Sequence, residues 1–241
     1  RTLFPYTTLF RSSFTPTIVS AQVELMLASL ASLSKMLERN YDGAAPVGIH
    51  VEGPFINREK HGSQRIEDIR DIDLGLAEEI IKAGGGKIKI MTFAPELRDS
   101  DKLVELLLQN GVKPSMGHSM ADEATVTRAV DAGVRRCTHL LNGMPPLHQR
   151  EIALTAVALT DDRISIELIL DGQHLHPRIV DLACRCKPPD KIIGVSDATQ
   201  GAGLRDGVYH LGASEIKIKD GFVTTERGVL AGTTLTLEKG W

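Results

Sequence analysis

Seven short apolar runs alternate with amphipathic stretches along the chain, and this alternation restricts the possible folds more than any other feature. The runs are 14–19, 47–51, 88–93, 112–116, 136–140, 164–170 and 192–196. Near-continuous apolar character is typical of strands that are buried on both faces of a parallel sheet. Repeated strand–helix units predict an α/β fold, and eight such units closed into a TIM-type (β/α)8 barrel usually take ~250 residues. A doubly wound open sheet is the alternative that periodicity does not separate from the barrel.

Helix and turn signals support the same interpretation. Ser20 precedes an apolar stripe at helical spacing, Gly111 follows a helix predicted over 102–110, and Pro177 suits the first turn of another helix. The spacing from Ser119 to Asp122 predicts a capping box. After the last apolar run the pattern changes, because 201–207 is typical of a loop and the segments 215–219 and 222–225 predict a β-hairpin insertion.

The composition excludes several classes of protein. The 241 residues carry 28 basic and 31 acidic side chains, a formal charge of −3, which indicates neither a nucleic-acid groove nor a membrane surface as partner. No apolar run approaches the roughly 20 residues that span a bilayer. Three cysteines form no even disulfide framework. The composition therefore predicts a cytoplasmic globular protein with a sizeable core.

The first twelve residues differ from the rest of the chain. They hold Phe4, Tyr6 and Phe10, three of the ten aromatic side chains, and they lack the charged start and apolar core of a signal peptide. Residues 2–12 resemble the in-frame translation of a DNA sequencing adapter. We therefore treat 1–12 as a non-native segment, and we expect 13–241 to form a partial barrel whose natural chain continues beyond both ends.

Ionisable side chains stand at the ends of four of the predicted strands. Glu52, His118, His139 and Asp197 each close a separate apolar run. In a βα barrel the carboxyl ends of the strands meet at one face, where active sites are built. Two imidazoles and one carboxylate are the ligand set of a catalytic zinc with an open coordination position, and a further carboxylate could take a proton from a water that the metal activates.

Each of these residues also has a purely structural interpretation. A strand-end His or Glu alone is usually a helix cap or an ion-pair partner, and only the set of four favours a site. His50 shares the orientation of Glu52, and we expect it to fill the barrel interior or to support the ligands. Cys137, Cys184 and Cys186 are expected to be inert thiols, and the glycines of 201–207 do not form a dinucleotide-binding motif.

A second group of polar residues follows His139 and the run 164–170. Asn142 and Arg150 lie in the loop after His139, and His174 and His176 follow the other run. An arginine beside a metal site makes an anionic substrate group plausible, since guanidinium binds phosphate through two parallel hydrogen bonds.

Seven segments of the chain carry a family resemblance. They are His50–Pro54, Thr92–Glu96, Gly117–Ser119, Thr138–Pro145, Asp171–His174, Ser196–Ala198 and Gly228–Gly232. Their order and spacing, from about Ser13 to Thr236, resemble the N-acetylglucosamine-6-phosphate deacetylase family of the amidohydrolase superfamily. The resemblance implies strands 2–8 of a (β/α)8 barrel, so the first strand, the last helix and a small β-sandwich of the family are expected to lie outside this chain.

The resemblance also implies a reaction and a set of site residues. The acetamide of N-acetyl-D-glucosamine 6-phosphate would be hydrolysed to acetate and D-glucosamine 6-phosphate. Glu52, His118 and His139 would hold one divalent metal ion, with Zn²⁺ favoured over Fe²⁺, and Asp197 would act as general base and then as general acid.

Further positions match the part of the family site that holds the sugar phosphate. They are Ser63, Gln64, Asn142, Gly143, Arg150, His174, Leu230, Ala231 and Gly232. His174 matches a residue that reaches the phosphate from a neighbouring subunit, so a homodimer is expected for the full-length protein.

The chain departs from the family at Gln64, which stands where the family carries a histidine that helps to polarise the amide carbonyl. A glutamine can donate a hydrogen bond to a developing oxyanion but carries no charge, so we expect a lower rate or an altered acyl preference. Two other functions stay open at this point: an amidohydrolase acting on another N-acyl substrate, and a sugar-phosphate-binding fragment without activity.

Overall fold

The computed structural model describes residues 13–39 and 44–236. This part of the chain contains twelve β-strands and six α-helices. The strands are β1 (Ser13–Phe14), β2 (Thr17–Val19), β3 (Ala45–Pro46), β4 (Ile49–Glu52), β5 (Ile88–Phe93), β6 (Lys113–Met116), β7 (Arg136–Cys137), β8 (Ser165–Ile169), β9 (Ile192–Val195), β10 (Gly207–Leu211), β11 (Ser214–Lys219) and β12 (Phe222–Thr225). The helices are α1 (Val23–Met36), α2 (Leu74–Ala83), α3 (Ser100–Gln109), α4 (Glu123–Asp131), α5 (Leu154–Thr160) and α6 (Pro177–Cys186).

Seven strands form one curled parallel sheet in the order β2-β4-β5-β6-β7-β8-β9. Each strand of this sheet pairs in parallel with the strand that follows it in this order, and helices connect most of them. A doubly wound sheet would reverse its strand order at a switch point, and this order never reverses. The fold is therefore the incomplete TIM-type barrel that the sequence predicted, with its strand ends on one face.

Proline and strand-end geometry shorten two of the predicted strands. The run 14–19 is divided into β1 and β2 around Pro16, which has no N–H to offer a sheet. The run 136–140 contributes only the two residues of β7, because the backbone turns to a positive φ at His139. The predicted capping box at Ser119 is wrong: Asp122 is the N-cap of α4, and its carboxylate accepts the amide of Thr125 at 2.9 Å.

The segment after β9 forms a separate, antiparallel sheet of three strands. Strands β11 and β12 are the predicted hairpin, and β10 pairs with β11 on its other side. The predicted loop 201–207 ends where Gly207 begins β10. Thr199 and Thr233 join this insertion to the barrel, since the Thr199 amide donates to the Thr233 carbonyl at 3.0 Å. The insertion thus stays close to the end of β9.

The main core lies between the curled sheet and its helices. Leu107 of α3 is fully buried in it, whereas Leu108, the next residue, is 44% exposed. We expect Leu107→Ala to lower the free energy of unfolding by about 2–5 kcal/mol, because it removes transfer free energy and leaves a cavity. Leu108→Ala is the matched control and should change it by less than about 0.5 kcal/mol. Urea unfolding followed by circular dichroism measures both, and equal losses would contradict this description of the core.

Several expectations from the sequence concern the remaining residues. The adapter-like segment 1–12 lies outside the described residues, as do 237–241, where a further helix was expected to start. Cys137 is buried, Cys184 and Cys186 are exposed, and all three are free thiols. Within residues 13–39 and 44–236, no helix combines the length and the apolar character that crossing a membrane requires.

Candidate metal centre and active site

Three of the four predicted strand-end residues meet in one buried cluster. Glu52 ends β4, His118 follows β6 and His139 follows β7. The Nε2 atom of His118 lies 3.0 Å from Glu52 Oε1 and 3.0 Å from His139 Nε2. The two imidazole rings meet edge to face, with their centroids 4.7 Å apart. Within the described part of the chain, this is the one group of three metal-ligating side chains whose ligand atoms all lie within 4.8 Å of one another.

The donor set of the cluster fits a divalent cation. The Nδ1 atom of His118 donates to the Lys60 carbonyl at 2.6 Å, so Nε2 is the ring nitrogen that remains for a metal ion. Nε2 faces a carboxylate oxygen and the Nε2 atom of a second imidazole, and either a proton or a divalent cation can lie between these three atoms. Four-coordinate zinc has bonds of roughly 2.0–2.1 Å to nitrogen, which separates its ligand atoms by about 3.3 Å. The three observed separations, 3.0, 3.0 and 3.9 Å, lie on either side of that value. The hydrogen bond to Lys60 is the kind that orients a metal-binding imidazole.

The side chains themselves set the charge of this cluster, and His139 has to give up a proton before it can bind a metal ion. Burial opposes ionisation of Glu52, but the hydrogen bonds and charges of His118 and His139 outweigh it and hold the pKa of Glu52 well below its usual range. Burial lowers the pKa of His139, but the nearby carboxylates of Glu52 and Asp197 reverse this and raise the pKa of His139 to about 9. Glu52 is therefore anionic at neutral pH, as a metal ligand must be.

Asp197 lies beside the cluster rather than within it. Burial and the negative charge of Glu52 raise its pKa, against the opposing effect of the nearby histidines. Gly232 lies against it: a Cβ added to Gly232 would lie 2.7 Å from the Asp197 carbonyl oxygen. A carboxylate with a raised pKa is a better proton acceptor than an ordinary aspartate, which suits a general base.

The backbone is strained at three of these four residues. His118, His139 and Asp197 have φ values of 48°, 29° and 46°. Positive φ is uncommon for residues other than glycine, and such strain tends to be concentrated at active sites. Each residue stands two positions after the last residue of its strand, so the chain turns there and the side chain lies at the end of the sheet.

Gln64 is held in direct contact with a proposed metal ligand. Its amide nitrogen donates to Glu52 Oε1 at 2.8 Å, and its amide oxygen accepts from the Ser20 backbone N–H at 3.0 Å. Gln64 is only 5% exposed. The family resemblance implied that Gln64 stands where a histidine helps to polarise the substrate carbonyl, and its contact with Glu52 carried no sequence signal.

The loop after His139 contributes the predicted residues Asn142, Gly143 and Arg150. Asn142 donates to the carbonyls of His139 and Leu140 at 3.3 Å, which places it at the edge of the cluster. Gly143 has φ +60°, and a Cβ there would lie 2.9 Å from His118 Nδ1, so glycine is required by both conformation and space. Arg150 is exposed, and within the described residues its guanidinium has no ion-pair or hydrogen-bond partner.

The remaining predicted residues lie around the same face. His174 donates from Nδ1 to Asp171 at 2.7 Å within its own chain, and its charge acts on Asp197. Ser63 and Gln64 line a cleft of about 400 Å³ between the loop after β4 and the antiparallel sheet. Val229 lines the same cleft beside the predicted stretch Leu230, Ala231 and Gly232, of which Ala231 is buried.

Two glutamates that sequence reasoning did not single out organise the segments around the ligands. Glu96 accepts hydrogen bonds from Asn57 and Ser119, which joins the loop after β4 to the residue that follows His118. Glu167 of β8 is buried, is paired with Arg136 at 2.6 Å and accepts the His139 amide at 3.3 Å. The motif at Thr92–Glu96 drew attention to the segment that contains Glu96. Glu167 had no such signal, because it lies inside the apolar run 164–170.

His50 lies beneath the cluster, as expected for a residue that fills the barrel. Its Nε2 atom is 2.7 Å from Thr92 Oγ1, and the chain of contacts continues at 2.7 Å from Thr92 to Thr138 and from Thr138 to Ser115. Burial lowers the pKa of His50. A neutral imidazole therefore completes a polar layer across four neighbouring strands of the barrel.

Comparison with known proteins gives relatives of one kind. No family model matches the chain. The chain is 33% identical over 226 residues to N-acetylgalactosamine-6-phosphate deacetylase of Escherichia coli O157:H7. The aligned region covers 94% of this chain and 60% of that protein. It is 38% identical over 198 residues to N-acetylglucosamine-6-phosphate deacetylase of Bacillus subtilis, covering 82% of this chain and 50% of that protein. The chain thus spans between half and three fifths of the length of these relatives.

Solved structures agree with the sequence relatives. N-acetylglucosamine-6-phosphate deacetylase of Thermotoga maritima superposes with a TM-score of 0.88 at 36% identity, covering 95% of this chain and 61% of that one. A mutant of the Mycobacterium smegmatis deacetylase in complex with N-acetyl-D-glucosamine-6-phosphate gives 0.90 at 30% identity, covering 97% and 62%. The chain belongs to the N-acetylglucosamine-6-phosphate deacetylase family.

Membership of this deacetylase family explains why so many polar residues stand at strand ends. The family resemblance and the structure agree on the (β/α)8 architecture and on a Glu/His/His cluster that can bind a divalent metal. Gln64 remains the departure from the family pattern, and its side chain donates a hydrogen bond to Glu52 at the border of the cleft.

Proposed function

We propose that the full-length protein hydrolyses the acetamide of N-acetyl-D-glucosamine 6-phosphate, giving acetate and D-glucosamine 6-phosphate. The observation that carries the proposal is the convergence of Glu52, His118 and His139 within hydrogen-bond distance beside Asp197, in a chain of this deacetylase family. The products require one water for each amide bond broken, with the oxygen passing to acetate and two protons to the leaving amine.

Glu52, His118 and His139 would hold the metal. When bound, a divalent ion supplies a Lewis acid for the acyl oxygen and lowers the pKa of a water molecule toward neutrality. Glu52 brings the negative charge, and the Lys60 carbonyl keeps the proton of His118 on Nδ1 so that Nε2 stays free to bind. We propose Zn²⁺ as the metal because two imidazoles and one carboxylate form a set that zinc favours.

Asp197 moves the proton. Its carboxylate accepts a proton from the attacking water and then donates it to the nitrogen of the departing amine. The raised pKa of Asp197 helps both steps, because the group then lies closer to the operating pH than an ordinary aspartate does.

The phosphate would be held by basic groups at the edge of the site. Arg150 is an exposed guanidinium without a partner in residues 13–39 and 44–236, and Asn142 lies between it and His139 along the same loop. We also propose His174 as a phosphate contact. The homodimer in which it would reach a neighbouring site, and the cytoplasmic location, stay predictions.

Acetate release with Zn²⁺ supplied tests the proposed function. We expect release from N-acetylglucosamine 6-phosphate and almost none from unphosphorylated N-acetylglucosamine. Equal turnover of both sugars would favour an amidohydrolase for other N-acyl substrates. No release by a chain that is folded and binds Zn²⁺ would favour a binding protein without activity.

N-acetylgalactosamine 6-phosphate is a second candidate substrate, because one relative at 33% identity carries that name. The two sugars differ only in the configuration at C4, so the same metal and phosphate contacts serve both. The ratio of kcat/KM for the two phosphates decides between them.

Arg150→Met tests the phosphate contact. We expect KM for the phosphorylated sugar to rise by about 10- to 100-fold, since a hydrogen bond to a charged group contributes about 1.5–3 kcal/mol. Steady-state kinetics with Arg178→Met, an exposed arginine of α6, as matched control measure the change. An unchanged KM in Arg150→Met would remove this residue from the substrate site.

A further inference from the structure

The buried Gln64 amide connects the end of β2 with the proposed metal ligand Glu52. We propose that Gln64 is a positioning residue, which holds the Glu52 carboxylate in the orientation that metal binding requires. This inference rests on the metal site of the proposed function and adds to it a residue outside the three ligands.

The orientation of the Gln64 amide is fixed by its two partners. The Ser20 backbone N–H can only donate, so the group that faces it at 3.0 Å must be the Gln64 oxygen. The Gln64 nitrogen then faces Glu52 Oε1 at 2.8 Å and donates to it. Both contacts are buried, where an unpaired amide would be costly. The two contacts together fix the orientation of the Gln64 amide.

Gln64 binds the same oxygen that faces the two imidazoles. Glu52 Oε1 lies 3.0 Å from His118 Nε2 and 3.9 Å from His139 Nε2. Without this hydrogen bond the carboxylate could rotate and present either oxygen. Metal binding would then have to restrict that rotation, and this free-energy cost would reduce the metal affinity. Hydrogen bonds that orient metal ligands typically account for 10- to 100-fold in affinity.

The residue after Glu52 leaves room for this contact. A Cβ added to Gly53 would lie 2.2 Å from Ser20 Oγ and 3.5 Å from Gln64 Oε1, so a larger residue would displace the pair. The arrangement therefore involves the ends of two neighbouring strands and the loop that follows β4. Gln64 would act on the reaction through Glu52, a role that differs from the polarisation of the substrate carbonyl that the family resemblance implies for this position.

Metal affinity in Gln64→Met tests the proposal without depending on catalysis. Methionine keeps the length and the unbranched shape but offers no hydrogen bond. Gln109→Met is the matched control, because Gln109 also donates to a glutamate, Glu105, but on the exposed surface of α3. The 241-residue chain is stripped of metal, its fold is checked by circular dichroism, and the dissociation constant for Zn²⁺ is measured by competition with a chromophoric chelator. The visible spectrum of bound Co²⁺ reports the ligand geometry.

We expect the dissociation constant to rise by about 10- to 100-fold in Gln64→Met, with a changed Co²⁺ spectrum and no change in Gln109→Met. A constant within about twofold of the parent, an equal loss in the control, or no Zn²⁺ binding by the parent chain would overturn the proposal. If Gln64→Met does not fold, Gln64→Asn replaces it, since its amide is one methylene too short to span Ser20 and Glu52. Full-length protein that binds Zn²⁺ but releases no acetate would contradict the proposed function, whereas the affinity comparison between Gln64→Met and the parent would still test the role of Gln64.

Discussion

Asp197→Asn should lower the rate constant for acetate release by about 10²- to 10⁴-fold, the range that a general acid–base group contributes. Asparagine keeps the shape of the side chain but can neither accept the proton of the attacking water nor return it to the amine. Because Asp197 lies outside the tight cluster of Glu52, His118 and His139, Zn²⁺ binding should persist.

The matched control for this variant is Asp190→Asn, in the exposed turn before β9. Single-turnover kinetics and a Zn²⁺ titration on both variants separate loss of chemistry from loss of metal. A rate for Asp197→Asn within threefold of the parent would exclude Asp197 as the proton carrier, whereas loss of Zn²⁺ from this variant would make it a ligand.

Zn²⁺ at a hundred times its dissociation constant should stabilise the folded chain by about 2.7 kcal/mol, because the three ligands come together only in the folded state. For a chain of this size, that free energy corresponds to a rise in Tm of roughly 5–11 °C. The rise should disappear in Glu52→Gln, which removes the one anionic ligand of the cluster with little change in volume.

Differential scanning calorimetry of stripped and Zn²⁺-loaded protein measures this shift. Glu105→Gln, on the exposed face of α3, is the matched control and should keep the full rise. A rise that survives in Glu52→Gln would show that Zn²⁺ stabilises the chain from another site.

The apolar runs were sufficient to predict a parallel sheet because its strands are buried on both faces, whereas the choice of a barrel over a doubly wound sheet came from the strand-end residues and the family resemblance. Ile88–Phe93 has the predicted bounds, and five of the other six predicted runs each contain one strand of the sheet. What the sequence could not show was where each strand stops. His139 ends β7 early through its backbone conformation, and conformation of this kind has no signature in residue type.

The convergence of Glu52, His118 and His139 could be predicted because each stands at the end of a strand, where barrel topology brings them together. The contacts that loop residues make with the cluster could not be predicted from the sequence. The Lys60 carbonyl orients His118, and any residue type could provide a carbonyl. Gln64 pairs with Glu52 only because the loop after β4 folds back over β2, and that path depends on packing between distant segments.

The positive φ angles of His118, His139 and Asp197 have a consequence for protein engineering. Left-handed conformations cost residues other than glycine of the order of 1–3 kcal/mol each, so all three positions are locally unfavourable for the residues they hold. A search for heat-resistant variants that scores folding alone would favour glycine at these positions, and it would remove the side chains proposed to bind the metal and to carry the proton. Any redesign of this chain for durability has to hold these three positions constant and seek its gains in the helices.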